Sequence, residues 1–442
     1  MEHVSLRDIQ ARGILPALGR AAWAVALLAL LIAPGCRFGP EPDLTITLTW
    51  WVTYAEESPE YAALEAIAND YAEGTEYVVV EVVPVPWDDV APRGIGYSQL
   101  QLAQQEGSGP DIWGPVPHSW TGAYALSEQA KPLDPEQING TQQTIELALH
   151  ACQYDGQQYG VPILMDSLAL IYNTDLVPEP PKSFEELIEV AQELTDPEQD
   201  TWGLMLPLLS EYHVYPFIDG YGGYIFGCND EGCNLEDIGL NNEGAVLGIQ
   251  LLSDLYLQDG LLSDALADSA QMYDAALEQF ASGRAGMLIE GSWTLPEIQA
   301  SGIPYDVAEI PPLPGTTAAP RPLTLIQALF VNPESAHADE TQKLLNHLVS
   351  AEAIPQFQSV LGRVPVRRDV LRSAPFRNDR ELRVWREQAS NGIPLPNVPE
   401  LGYIWYPWSQ ALQEAIPGYT PVQDALDTAV EQIKSYIEQD DS

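Results

Sequence analysis

Leu44-Thr45-Ile46-Thr47-Leu48-Thr49-Trp50-Trp51-Val52, then Ser58-Pro59, then Tyr77-Val78-Val79-Val80-Glu81-Val82-Val83-Pro84-Val85 is the stretch on which the fold turns. Its first segment is β-branched and apolar, the composition of a buried strand. Ser58 suits a helix cap, and Pro59 suits the first helical turn, where a missing N–H costs nothing. Tyr61, Leu64, Ile67, Ala68 and Tyr71 then form one apolar helical face, and Gly74 stops the run before the second strand. Strand, helix and strand make a βαβ unit, which predicts largely parallel sheets covered by helices.

The alternation continues downstream. Ser183-Phe184-Glu185-Glu186 is a capping box opening a helix to about Leu194. Strand and helix patterns follow at Trp202–Leu206, Glu243–Tyr256, Met272–Ala281 and Ala285–Ile289, and the chain is helical again from about Pro421 to Ile437. The fold class read from this is α/β, with doubly wound, mainly parallel sheets. Such sheets bind ligands beyond the carboxyl ends of their strands. Aromatic residues gather there: Trp50 and Trp51, Trp87, Trp113, Trp293, Trp405 and Trp408.

The N-terminus has the layout of a secretory signal. Arg7, Arg12 and Arg20 precede an apolar run from Ala21 to Ala33, shorter than the roughly 20 residues a spanning helix needs. It ends in Ala33-Pro34-Gly35-Cys36, a small residue before a cysteine, as lipoprotein processing requires. Residues 1–35 are therefore read as a lipoprotein-type signal peptide, Cys36 as the lipidated residue, and 36–43 as the anchor and its stiff tether. This places the chain outside the cytoplasm, held to the outer face of the cell membrane by the lipid anchor only, the alternatives being plain cleavage to a periplasmic protein or retention as an uncleaved anchor. The net charge of −45 makes nucleic acid and anionic lipid surfaces poor partners. Eight of the 19 lysines and arginines fall between Arg363 and Arg386, as a helical face paired with local acids such as Arg383 with Glu387, or as a docking patch. Cys228 and Cys233 flank a turn-prone segment and are expected to form a disulfide in an oxidising compartment. Cys152 is left as a buried free thiol.

Several stretches resemble the extracellular solute-binding proteins of ABC sugar importers, the group typified by maltose/maltodextrin-binding proteins. They are Gly109-Pro110-Asp111-Ile112-Trp113-Gly114-Pro115; Tyr154-Asp155-Gly156-Gln157-Gln158-Tyr159-Gly160-Val161-Pro162 with Ala169-Leu170-Ile171-Tyr172-Asn173-Thr174-Asp175-Leu176; Phe280-Ala281-Ser282-Gly283-Arg284-Ala285-Gly286-Met287 with Gly291-Ser292-Trp293; and Pro396-Asn397-Val398-Pro399 leading to Ile404-Trp405-Tyr406. They stand in family order and cover nearly all of residues 44–440. The resemblance implies a two-lobed periplasmic-binding-protein fold with the ligand cleft between the lobes. Residues 44–163 with 326–362 would form the N-terminal lobe, and 164–325 with 363–442 the C-terminal lobe. The chain would cross between them near Val161–Asp166, Leu323–Phe330 and Leu361–Val366.

It also implies a function. The chain would be the sugar-binding subunit of an importer, the sugar an oligosaccharide of maltodextrin type. It would be a monomer that closes its lobes on the ligand and delivers it to permease transmembrane subunits with a separate ATPase. No enzyme activity, cofactor or metal is called for. Sugars present apolar C–H faces, on which aromatic rings stack, and a rim of hydroxyls, which carboxylates or amides bind. On the group's pattern Asp166, Tyr212, Tyr215, Trp293 and Trp405 are ligand contacts. An acid that the group carries two residues before the first of these tyrosines is Ser210 here. On the N-terminal side Trp113, His118 and Trp120 are the candidates, with Trp51, Tyr54 and Trp87, whereas Trp50 faces the opposite way along its strand. Competing readings are a binding protein for glycerol-phosphate, a polyamine or a metal chelate, one feeding a membrane sensor, or an extracellular glycosidase. A glycosidase needs two carboxylates at a set separation, which 64 acids supply by chance.

Overall fold

The computed structural model describes residues 45–92, 98–229 and 232–440. The signal peptide, Cys36 and the tether lie outside them. From Ile46 onward the chain forms one compact unit with its own cores, so this part folds without the leader. No helix among the described residues is long and apolar enough to cross a membrane.

The βαβ unit forms from the residues that predicted it. Strand β1 (Ile46–Val52) buries Leu48, Trp50 and Val52 on one face. The helix Pro59–Glu73 is capped by Ser58, whose hydroxyl accepts the Tyr61 N–H, and it buries the five residues of its apolar face. Strand β2 (Val78–Pro84) pairs parallel to β1 from Ile46↔Val78 to Val52↔Pro84, and β3 (Ile112–Pro117) pairs parallel on its other side.

Beyond this unit the sheets are mixed, not mainly parallel as expected. Next come β4 (Val161–Asp166), β5 (Leu168–Asn173), β6 (Trp202–Met205), β7 (Ala285–Gly291), β8 (Tyr305–Ala308), β9 (Leu323–Val331) and β10 (Val364–Pro365). The first sheet runs β10-β4-β9-β3-β1-β2, with Ile393–Pro394 also on β9; the second runs β8-β5-β7-β6. In the first sheet β9 pairs antiparallel with β3 and β4, and β10 antiparallel with β4. In the second only β6 and β7 are parallel. The cause is the crossing segments, which are themselves strands. The chain leaves the first sheet after Asp166 and enters the second at Leu168, so Ser167 alone separates them. It returns along β9 in the opposite sense. The chain therefore passes between the sheets at Ser167, before Leu323 and after Pro365, because each crossing strand completes its pairing in the first sheet.

Cys228 and Cys233 face each other across a two-stranded hairpin and are bridged. Cys152 is buried and free, and burial pushes its thiol pKa up.

Candidate functional site

A cleft of about 950 Å³ opens where strands of the two sheets end. One wall grows from the first sheet. Strand β3 runs into a 3₁₀ turn, His118–Trp120, and then the helix Thr121–Leu126. Trp120 lines the cleft with its ring centroid 4.7 Å from that of Trp87, which is 45% exposed. The opposing wall repeats this construction. Strand β7 runs into the 3₁₀ turn Ser292–Thr294 and the helix Leu295–Ser301. Trp293 lies over Gly291, where a Cβ would come within 2.1 Å of the indole. Tyr212, in the first turn of the helix Glu211–Gly220, holds its ring 5.9 Å from Trp293 and donates its hydroxyl proton to the Leu323 carbonyl at 2.9 Å. Trp405, at the start of the helix Trp405–Ala415, completes the aromatic lining, nearly parallel to the buried Trp408.

The floor is polar. Asp166 lies where β4 gives way to β5, and its Oδ1 is 2.8 Å from Arg363 Nε. Its Oδ2 accepts from Gln327 Nε2 at 2.7 Å. Burial pushes the Asp166 carboxyl up, and Arg363 and Gln327 pull against that rise. Burial disfavours the Arg363 cation, but Asp166 and Tyr54 together outweigh it and hold its pKa above the ordinary value. Arg363 also donates to Tyr54 Oη at 3.3 Å. One carboxylate thus ties together all three segments that pass between the sheets. Beside it His213, 2% exposed, sits between Ser210 Oγ and Glu290 Oε1, each at 2.8 Å. Tyr212, Tyr273 and Trp293 meet its ring at steep angles.

The structure gathers Trp87, Trp120, Asp166, Tyr212, Trp293 and Trp405 of the predicted contacts around the cleft. It puts the others elsewhere. Trp113 is fully buried and stacks on Phe330, because it is the second residue of β3, a strand whose every residue is buried. His118 is 0% exposed. Its Nε2 donates to the Leu395 carbonyl and its Nδ1 accepts the Ile326 N–H, both at 3.0 Å, and burial lowers its pKa to about 4. Tyr215 points into the core one helical turn after Tyr212. Trp51 is half-buried outside the lining, and Tyr54 backs the floor through Arg363. His213, Tyr273, Gln327, Arg363 and Tyr403 line the cleft without having been singled out. Of these, Gln327 and Arg363 carried a signal, each being within a predicted crossing. Among the described residues no group of three or more His, Cys, Asp or Glu is placed to hold a metal ion. Chemically, the cleft offers aromatic rings carried on elements that follow both sheets, together with hydrogen-bonding groups.

Residues 66–384 match the family model described as bacterial extracellular solute-binding protein. The chain is 27% identical over 343 residues to the maltotriose-binding protein of Pyrococcus abyssi, covering 76% of this chain and 72% of that protein. It is 27% identical over 341 residues to the galactooligosaccharide-binding protein of Bacillus subtilis, 76% and 79% covered. Among solved structures, the maltotriose-binding protein of Thermus thermophilus with bound maltotriose superposes with a TM-score of 0.76 at 25% identity, over 88% of this chain and 100% of that one.

Proposed function

The chain belongs to the bacterial extracellular solute-binding protein family, and from that premise we propose that it captures an oligosaccharide for an ABC importer. The observation carrying this reading is the cleft itself: Trp120 and Trp87 on one side, Trp293 and Tyr212 on the other, over a hydrogen-bonding floor. A volume of about 950 Å³ is at the upper end for small-molecule sites and suits more than one sugar ring. The relatives named for maltotriose, maltooligosaccharide and galactooligosaccharide support the class. Arg363 already faces Asp166, which leaves little to hold a phosphate and favours a neutral ligand.

In this reading the two lobes, carried by the two sheets, close on the ligand as a monomer. The cargo passes to permease transmembrane subunits driven by a separate ATPase, and Cys36 holds the protein at the outer face of the membrane. The role is binding, not catalysis. The test is a melting-temperature screen with gluco-, galacto-, xylo- and manno-oligosaccharides. A ligand that binds only the folded state raises the melting temperature, with a stabilisation that grows as the logarithm of one plus concentration over Kd. A clear rise with at least one series is expected, and no shift across all of them would overturn the proposal.

A further inference from the structure

The arginine-rich stretch behaves unlike the rest of this polyanion. From Arg363 to Glu387 eight arginines stand against four acids. Arg363 and Arg367 are turned inward onto Asp166 and Asp369, and Arg380 pairs with Asp306. Arg368, Arg372, Arg377, Arg383 and Arg386 have no ion pair among the described residues. The expected Arg383–Glu387 pair does not form. The nearby acids have other work: Asp369 takes Arg367, Asp379 caps the helix Arg380–Asn391, and Glu381 accepts from Tyr305. Arg372, Arg377 and Arg383 are exposed and Arg368 and Arg386 partly so, along three consecutive short helices. In a chain with 64 acids, this stretch thus carries five guanidinium groups that no ion pair among the described residues neutralises.

We propose that this surface rests against anionic phospholipid headgroups. Guanidinium groups match phosphate with two parallel hydrogen bonds. The setting follows from the anchored reading above: residues 36–46 reach at most about 35 Å, so the body stays beside the membrane. The net charge of −45 argues against contact with an anionic surface, but screening decides it. At about 0.15 M salt the Debye length is about 8 Å, so the headgroups respond to the local excess of arginine. At about 0.01 M it is about 30 Å, and the distant carboxylates repel the surface. At about 1 M the arginine attraction is itself screened.

Binding should therefore peak at intermediate salt, whereas a uniformly basic protein weakens steadily as salt rises. The experiment takes the unit from Thr45 onward, which lacks the anchor, and measures co-sedimentation with phosphatidylglycerol/phosphatidylcholine vesicles from about 0.01 to 1 M salt. The expected result is a maximum near physiological salt, no binding to pure phosphatidylcholine, and at least a fivefold loss in Arg372→Gln/Arg377→Gln/Arg383→Gln with its melting temperature unchanged. No vesicle binding at any salt, or a triple variant that sediments like the parent, overturns the proposal. Binding to polyglutamate but not to vesicles also overturns it, in favour of an acidic protein partner. Sugar binding is untouched by these arms, so the failure of one reading does not disguise the failure of the other.

Discussion

The two walls of the cleft are built alike and held differently. Each is a strand, one 3₁₀ turn carrying a cleft-facing tryptophan, and a short helix: β3 with Trp120, and β7 with Trp293. The first turn is pinned through His118 to backbone groups of Ile326 and Leu395, far away in sequence, and that ring is sealed from the ligand. The second is backed by the side chains of His213, Glu290 and Ser210, and His213 itself lines the cleft. Two histidines beside two tryptophans thus have opposite exposure to ligand. Residue type did not decide this; the segments that happen to arrive behind each turn did.

The floor joins both walls, so the largest effect should come from Asp166→Asn. It preserves shape but leaves Arg363 buried beside a neutral group, and breaking a buried pair in this way costs about 3–5 kcal/mol. Denaturant unfolding should show that loss directly. An unchanged midpoint with weakened sugar affinity would instead make Asp166 a ligand contact and break the picture of a brace shared by both walls.

The next effect belongs to the first wall alone. His118 has its pKa lowered from 6.5 to about 4, so the fold favours the neutral ring. Its contribution to stability is complete above about pH 6.5 and is lost as pH falls toward about 4. The full difference is about 3 kcal/mol. Because neutralising acids also changes the background, the measurement is the difference between wild type and His118→Gln across pH 4 to 7. That difference should shrink as pH falls; a flat one would mean that the ring is not sealed.

The smallest effect separates binding from packing. Trp293→Ala and Trp120→Ala should each weaken sugar binding by about 1–3 kcal/mol, the range for anchoring aromatic residues, with little loss of unfolding free energy because both rings are partly exposed. Calorimetric titration beside denaturant unfolding checks this. Equal losses would mean that the walls are equivalent platforms despite their different supports, and a loss confined to Trp293 would show that the ligand leans on the second wall.

The fold's beginning was legible because its signals are local. Ser58, Pro59, the apolar face from Tyr61 to Tyr71 and Gly74 define a helix by spacing and capping alone, and the β-branched runs beside it define parallel neighbours. Trp293 and Trp405 were legible from a motif that fixes their place just after an element boundary. Trp113 was misplaced because strand register, which a run of apolar residues does not specify, turns it toward Phe330. The sequence by itself determined the α/β class, the disulfide partners facing across a hairpin, and which aromatic residues stand near strand ends. Only the tertiary structure decided the mixed sheets, the joining of Asp166 to Arg363 and Gln327, and the burial of His118 against Leu395. The physical reason is sequence separation: such contacts depend on where distant strands cross, and no periodicity or cap within a short window records that.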